Sequence, residues 1–216
     1  MLDQIIPTVE ALPGPGVLER IAFEQPWPAV VALLVIGLLA AVMLIRRGRV
    51  ARAVVIDTAA TALAAGLIVS ATVVTTDHER VRAGSRGLVA AALAGDESRV
   101  GEILAPDARL TAAGASSVGL QRDAVLAAVR ALPGRAPTRG HAIVDLTASV
   151  DGANAARSRL VVRTDFRGGG PAFSAWQLNW RLDPGGAWRV TRIEALSING
   201  QAPGPWLAGE IASLGR

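Results

Sequence analysis

The sequence predicts an α+β protein in which a two-helix transmembrane hairpin precedes a soluble domain with a helix-packed antiparallel sheet. Two patterns predict this architecture. Two long apolar segments lie between residues 29 and 76. Near residue 140 the spacing of the apolar residues changes from that of a helix to every second position, as in a β-strand. Composition agrees, because the 216 residues are 51% hydrophobic and only 19% charged, which excludes a disordered or collagen-like chain.

The residue types that the chain lacks exclude several kinds of site. It has no cysteine, which excludes disulfides, thiolate metal sites and a cysteine nucleophile. All 22 basic residues are arginine in an alanine-rich chain, so GC-rich coding explains much of the high isoelectric point. With a net charge of +4 and no basic cluster beside aromatic residues, nucleic acid is not an expected partner. With two histidines, neither a metal site nor a bound cofactor is expected.

The first apolar segment, residues 29–45, carries no charge and reaches the length of a bilayer-spanning helix when Trp27 is included. The second, residues 53–76, is equally apolar apart from Asp57, which lies near the arginine-rich side. We therefore expect a hairpin of residues 26–76, with spans at about 27–45 and 53–75.

A short basic loop, residues 46–52, joins the two predicted spans. Under the positive-inside rule it lies in the cytoplasm, so both termini and the soluble domain lie on the periplasmic side of a bacterial inner membrane. Residues 1–25 then form an extracytoplasmic segment. A cleaved signal peptide is the alternative, and the absence of a basic region before the first apolar run argues against it. The loop arginines are Arg46, Arg47, Arg49 and Arg52.

A stripe of small side chains at four-residue spacing runs along the second predicted span. Such stripes let another helix approach closely. The first span offers a matching face at Gly37 and Ala41. The stripe has three interpretations: chance in an alanine-rich chain, packing within the hairpin, or contact with a helix of another protein. Its members are Thr58, Ala62, Gly66 and Ser70.

Residues 77–216 have the length and charge density of one soluble domain. Asp77 can cap the first of its helices, and Pro106 stops the second. Pro133 and Gly134 are expected to end the third. The predicted helices are residues 77–94, 97–104 and 120–132, with a short strand at 107–112.

Beyond residue 140 the pattern is that of an antiparallel meander. In its first strand Ala142, Val144 and Leu146 are predicted to face the helices, so that His141 faces away from them. The predicted strands are residues 141–150, 156–166, 173–182 and 188–198, and a short apolar helix is expected at 206–214.

Two short motifs accompany this order of elements. They are L-A-P-D-A-R-L, from Leu104 to Leu110, and G-A-W-R-V, from Gly186 to Val190. Together with the element order they resemble the nuclear transport factor 2-like superfamily over nearly all of residues 77–212. The resemblance implies a cystatin-like α+β cone, in which helices pack into a curved sheet and often leave a pocket. The superfamily holds ketosteroid isomerase-like and polyketide cyclase-like enzymes as well as binding and assembly modules, so the fold does not choose the function.

In the isomerase branch, the resemblance implies an aspartate base shortly after the Asp-Ala of the first strand and a tyrosine electrophile. The corresponding stretch here, residues 111–114, contains no base, and the chain has no tyrosine. We therefore expect no catalytic residues and no enzyme activity. His141 and Asp107 remain as unconventional acids or bases if the cone holds a reactive pocket.

A polar face is predicted on the side of the sheet away from the helices, along the strands at residues 156–166 and 173–182. In the superfamily this side is commonly a dimer or partner surface, and arginine suits interfaces. The alternative is an ordinary solvated face. The candidate partner face consists of Arg157, Arg159, Arg163, Gln177, Asn179 and Arg181.

These observations favour a non-enzymatic accessory or scaffolding subunit that docks onto a larger membrane protein complex and stabilises it. Its expected partners are other membrane subunits and the lipid bilayer, and a homodimer through the sheet stays open. The alternative is a membrane-tethered small-molecule binding domain, lyase or isomerase that uses the cone pocket, and a third hypothesis is a lipid-handling module. An enclosed cavity with polar groups would favour the alternative, whereas a cone filled by Trp, Leu and Val would favour the subunit.

Overall fold

The structure is a computed structural model that describes Leu12 and residues 27–73, 76–113 and 119–203. The helix predicted at residues 206–214 lies outside the described residues, and so does the side chain of Ser70. The chain divides into two compact units, one holding the helical hairpin and the other the α+β domain from Asp77 onward. Each unit is described by itself.

The hairpin consists of α1 (Trp27–Arg46) and α2 (Val50–Val73). Among the described residues, α1 is the one helix long and apolar enough to cross a membrane, and by length and composition it fits an anchor or a signal sequence. The second helix, α2, is less apolar than α1 and carries Arg52 and Asp57. The hairpin is confirmed as a helical unit, while membrane crossing by both helices stays a prediction.

The two helices of the hairpin pack through alanine and glycine. A Cβ added to Gly37 would lie 2.6 Å from the Cβ of Ala60, and Ala41, Ala53 and Ala64 are buried. The small residues predicted on the first span therefore do contact the second helix.

The three described members of the stripe on α2 do not make this contact, so for them the interpretation as packing within the hairpin is wrong. Thr58, Ala62 and Gly66 are exposed, and a Cβ added to Gly66 would meet nothing within 4 Å. The reason is angular. Ala62 lies two residues from both Ala60 and Ala64, which is a rotation of about 200° around a helix, so the stripe points away from α1.

Three helices form one layer of the domain: α3 (Asp77–Ala94), α4 (Glu97–Ile103) and α5 (Arg122–Arg135). The first has the predicted bounds. The third continues through Pro133 and Gly134, contrary to the prediction, because a proline in the last turn removes only one helical hydrogen bond and the Ala136 N–H still donates to the Leu132 carbonyl at 2.8 Å.

The other layer is a curved six-stranded sheet in the order β2-β1-β6-β5-β4-β3. Its last four strands form the predicted antiparallel meander. The first strand, however, pairs in parallel with β6, so the sheet is mixed rather than antiparallel, and the short β2 was not predicted. The strands are β1 (Leu104–Ala112), β2 (Leu120–Gln121), β3 (Thr138–Val150), β4 (Ala155–Phe166), β5 (Pro171–Leu182) and β6 (Trp188–Ile198).

A bulge in β3 reverses the predicted faces of part of that strand. The register shifts between Ile143 and Asp145, so Ile143 and Leu146 pack against the core while Val144 is 48% exposed. The prediction that Val144 faces the helices is therefore wrong. His141, which pairs directly with Thr164, lies on the helix-facing side of the sheet instead of the outer side.

A buried polar contact joins α3 to the sheet. The Ser85 hydroxyl donates to the Val81 carbonyl at 2.8 Å and lies 2.8 Å from the Ser158 hydroxyl. Ser158 also accepts a hydrogen bond from the indole N–H of Trp180 at 2.9 Å. These groups are satisfied inside an otherwise apolar core, which fixes the position of α3 over β4 and β5.

Candidate functional site

A cavity of about 540 Å³ lies between the concave face of the sheet and the helices α3 and α5. Its walls are mainly aliphatic, for example Leu88 and Val129 from the helices and Leu160, Leu178 and Ile193 from the strands. This volume lies within the range of about 300 to 1,000 Å³ that is typical of small-molecule sites. Among the described residues, the core therefore leaves a ligand-sized space that their side chains do not fill.

The local sequence explains why this space stays open. Period two on β4 and helical spacing on α3 and α5 direct apolar side chains toward the same volume. Several of them are small: Ala92 on α3, Ala128 on α5 and Ala172 on β5 line the cavity. An alanine there covers the backbone without reaching across the gap.

Polar groups line one end of the cavity. The hydroxyl of Ser174 accepts a hydrogen bond from the indole N–H of Trp176 at 2.8 Å, and the side-chain oxygen of Asn199 accepts from the Phe173 N–H at 2.9 Å. Thr164 is only 7% exposed, and its hydroxyl makes no hydrogen bond within the described part of the chain. Sequence analysis missed these residues. The inward positions of Thr164 on β4 and Ser174 on β5 follow from the same alternation that identified Val162 and Trp176, whereas Asn199 lies in the turn after β6.

Among the described residues that line the cavity, none has a titratable side chain. Residues 111–113, the described part of the stretch that corresponds to the isomerase base, also have no titratable side chain. Ala112 is buried against Ala195, and the Thr111 hydroxyl points to the Ile193 carbonyl at 3.5 Å. Gly114, the last residue of that stretch, lies outside the described residues.

Asp107 does not line the cavity, which corrects its assignment as a possible acid or base there. Its carboxylate is exposed and accepts two hydrogen bonds from the Arg181 guanidinium, at 3.0 and 3.2 Å. Those bonds hold the pKa of Asp107 below its ordinary value. The group is a carboxylate in an ion pair and not a proton donor in the cone.

His141 lies on the exposed edge strand β3, on the same face as Thr164 but outside the cavity lining. The bulge separates it from Asp145, which pairs with Val161 on the opposite face. His141 and Asp145 therefore cannot act as a pair. Within the described part of the chain, no group of three or more histidine, aspartate or glutamate side chains could hold a metal ion.

The candidate partner face exists as a continuous surface of β4 and β5, but its arginines are engaged within the chain. The Arg157 guanidinium donates to Asp151 at 2.6 and 3.0 Å, which lowers the pKa of Asp151 and raises the pKa of Arg157. The Arg163 guanidinium donates to Asp165 at 3.0 Å.

Amide side chains extend this network. The Arg159 guanidinium donates to the Gln177 side-chain oxygen at 2.8 Å, and the Gln177 amide donates to Asn179 at 3.3 Å. The Arg181 pair with Asp107 continues the surface to β1. Much of the positive charge predicted for this face is thus offset by neighbouring carboxylates.

No protein-family model matches the chain, and no curated protein matches it. It is similar to several solved structures. A nuclear transport factor 2-like protein with a cystatin-like fold from Novosphingobium aromaticivorans is 26% identical, with 62% of this chain and 86% of that chain covered and a TM-score of 0.45. A nuclear transport factor 2-like protein from Cytophaga hutchinsonii is 13% identical, with 56% and 98% covered and a TM-score of 0.46.

A ketosteroid isomerase-like protein from Erwinia carotovora atroseptica is 16% identical, with 56% of this chain and 99% of that chain covered and a TM-score of 0.43. With TM-scores below 0.5, these similarities assign neither a family nor an activity to this chain.

Proposed function

We propose that this chain is a membrane-anchored domain that binds an apolar small molecule in the cavity of its α+β cone. The observation that carries the proposal is the aliphatic cavity of about 540 Å³ between α3, α5 and the sheet. Burial of apolar surface contributes about 25 cal/mol per Å², so a ligand that covers these walls gains affinity without any charged contact.

Binding is favoured over a lyase or isomerase reaction because of the chemistry of the walls. Such reactions need a positioned acid or base within hydrogen-bond reach of the reacting atom. The described lining residues supply only hydroxyl, amide and indole groups, from Thr164, Ser174, Asn199 and Trp176. These groups orient a ligand but do not take up or release protons near neutral pH.

The anchor is part of the proposal. We place α1 and α2 across a bacterial inner membrane, with the arginine loop at residues 46–52 in the cytoplasm and the α+β domain in the periplasm. The apolarity of α1 and the four arginines within residues 46–52 support this arrangement. A domain tethered to a bilayer is well situated to exchange apolar molecules that partition into lipid.

A pair of matched variants tests the cavity. Ala92 lines it, whereas Ala90 is exposed on the same helix. The full chain is purified from its native membrane in lipid nanodiscs, and its bound small molecules are extracted and identified by mass spectrometry. We expect Ala92→Phe to lose the copurifying molecule and Ala90→Phe to retain it. Equal occupancy of the two variants, or an empty wild-type protein, would contradict the proposal.

The accessory subunit is the second candidate function, and one observation favours it. Thr58, Ala62 and Gly66 form a face of small residues on α2. This face is exposed and points away from the contact between α1 and α2. A helix of a larger membrane complex would find a close-packing surface there.

A second matched pair tests this candidate. Ala62 lies on the stripe, and Thr61 is an exposed neighbour about 100° around the same helix. In native membranes, Ala62→Leu is expected to abolish comigration with larger subunits while Thr61→Leu preserves it. Migration of the wild-type chain alone, as a monomer or homodimer, would contradict the accessory function and leave the binding function standing.

A further inference from the structure

Two arginines lie side by side on the outer face of the sheet, the face away from the helices and the cavity. Arg109 on β1 pairs directly with Arg192 on β6. The next residues along these strands, Leu110 and Ile193, belong to the hydrophobic core. Because side chains alternate between the two faces of a sheet, both arginines project from the outer face as direct cross-strand neighbours.

This pair differs from the other arginines of the outer face. Arg109 and Arg192 are exposed, and in the described part of the chain neither guanidinium donates a hydrogen bond or forms an ion pair. The arginines of the candidate partner face, by contrast, each donate to an aspartate or to Gln177. Like charges directly opposite each other on neighbouring strands are destabilising, so this pair gains stability when an anion lies between the two groups.

The two nearest carboxylates of the same face do not supply that anion. Asp107 lies two residues before Arg109 and accepts its hydrogen bonds from the Arg181 guanidinium. Glu194 lies two residues after Arg192, about 6.6 Å further along the strand, and forms no ion pair with any described residue. Among the described side chains, none therefore neutralises the pair directly.

Uncharged amides flank the pair on both sides. Gln121 on β2 pairs with Arg109, and its side chain makes no capping hydrogen bond to α5. Asn179 on β5 pairs with Arg192, and its side-chain oxygen already accepts from the Gln177 amide. The row across these four strands thus contains two positive charges and no carboxylate.

We infer that Arg109 and Arg192 form a binding site for a phosphate dianion, such as inorganic phosphate or a phosphate monoester, held between the two guanidiniums. Neighbouring strands are about 4.8 Å apart, so two arginine side chains can donate to oxygens of one tetrahedral group. The planar guanidinium fork matches phosphate oxygens, and two negative charges offset both arginines, whereas a carboxylate or phosphodiester offsets one. The site lies on the opposite face of the sheet from the cavity and goes beyond the proposed function.

A titration followed by NMR tests the site in the full chain in detergent micelles. The arginine Nε–Hε signals are observed while inorganic phosphate, glycerophosphoglycerol or acetate is added. The ionic strength is held constant with sodium chloride, because salt screens exposed charges. We expect inorganic phosphate to shift two arginine signals saturably, with a dissociation constant on the order of 1 mM. The two monoanions are expected to bind about tenfold more weakly, since each lacks one negative charge.

Variants assign the two signals and locate the site. Arg109→Gln and Arg192→Gln each remove one guanidinium, and each is expected to weaken phosphate binding about tenfold or more. Arg163→Gln is the matched control, because Arg163 lies on the same outer face and donates to Asp165. We expect it to leave phosphate binding unchanged. The remaining signals of each spectrum report whether the variant is folded.

Each outcome supports or overturns the inference. Saturable shifts that Arg109→Gln and Arg192→Gln abolish and Arg163→Gln retains support it. If phosphate causes no saturable shift, or if Arg163→Gln weakens binding equally, the pair is not a site. If glycerophosphoglycerol binds as tightly as phosphate, the ligand is a lipid headgroup and the dianion is the wrong class. If acetate does so, the site takes a carboxylate. All of these outcomes leave the cavity and its proposed ligand untouched.

Discussion

Gly84 of α3 lies directly against the indole ring of Trp180 on β5, so close that a Cβ at Gly84 would be 2.8 Å from the nearest ring carbon. Trp180 is itself buried and is held by its hydrogen bond to Ser158. The glycine is thus a site of close approach between helix and sheet. It sets how near α3 comes to the concave face at the end of the domain away from Thr164 and Ser174.

Replacing Gly84 by alanine is expected to destabilise the domain by about 1–2 kcal/mol. The overlap with the Trp180 ring costs about 1–3 kcal/mol, and this outweighs the gain of up to about 1 kcal/mol from better helix propensity. Gly134→Ala is the matched control, because a Cβ there meets nothing within 4 Å and only the propensity gain remains. Urea unfolding of the full chain, followed by tryptophan fluorescence, measures both. A Gly84→Ala variant more stable than wild type would show that the contact is loose.

Removing the Ser158 hydroxyl is expected to cost more than removing the Ser85 hydroxyl. Ser158→Ala leaves the buried Trp180 N–H without its acceptor, at a cost of about 1–3 kcal/mol. Ser85→Ala leaves that bond intact and removes only the contacts of Ser85 with Ser158 and the Val81 carbonyl. The midpoints of urea unfolding compare the two variants. Equal losses would mean that the indole finds another acceptor.

The ion pair between Asp151 and Arg157 is expected to stabilise the domain at neutral pH and not in acid. The pair lowers the pKa of Asp151 in the folded state below 3.8, so its contribution is fully present well above pH 3.8 and is lost as the pH falls through the folded-state pKa. Because both side chains are partly exposed, we expect Asp151→Asn to cost at most about 1 kcal/mol at neutral pH.

The measurement is the difference in unfolding free energy between wild type and Asp151→Asn as a function of pH. This difference is expected to narrow as the pH drops below 3.8. Asp123→Asn serves as the control, since the Asp123 side chain is 97% exposed. A difference independent of pH would show that Asp151 stabilises the turn through packing and not through its charge.

The topology can be tested cleanly because the chain has no cysteine. Single cysteines are introduced at Arg47, in the predicted cytoplasmic loop, and at Gly185, in the turn between β5 and β6. In spheroplasts, a membrane-impermeant maleimide is expected to label Gly185→Cys at once and Arg47→Cys only after lysis. Labelling of both sites from outside, or of neither, would contradict the two-pass arrangement.

Much of the domain follows from local sequence. The helix Asp77–Ala94 and the strand Trp188–Ile198 have the bounds that their periodicity and turn residues predict. These elements carry strong local signals, namely apolar spacing within each element and glycine or proline at its ends. The face of β4 that carries Leu160 and Val162 was likewise predictable, because no bulge interrupts its alternation.

The predictions made from the sequence are wrong where a contact between distant residues overrides a local pattern. The bulge between Ile143 and Asp145 is decided by the pairing of β3 with β4, and it moves Val144 outward and His141 inward. The parallel pairing of β1 with β6 joins residues about 80 positions apart, which no local period reports. For the same reason the stripe on α2 could not be assigned from spacing alone.

The sequence by itself determined the helices, the meander, the apolar character of α1 and the absence of a tyrosine or cysteine for catalysis, since each depends on residue type or on neighbours along the chain. Only the tertiary structure decided that the cone holds a cavity, that Thr164, Ser174 and Asn199 meet at one end of it, and that Asp107 is paired with Arg181 outside it. The physical reason is that a cavity is the space left between elements, and its size depends on how closely α3 and α5 approach the sheet. That distance is set by contacts such as Gly84 with Trp180, between residues far apart in sequence.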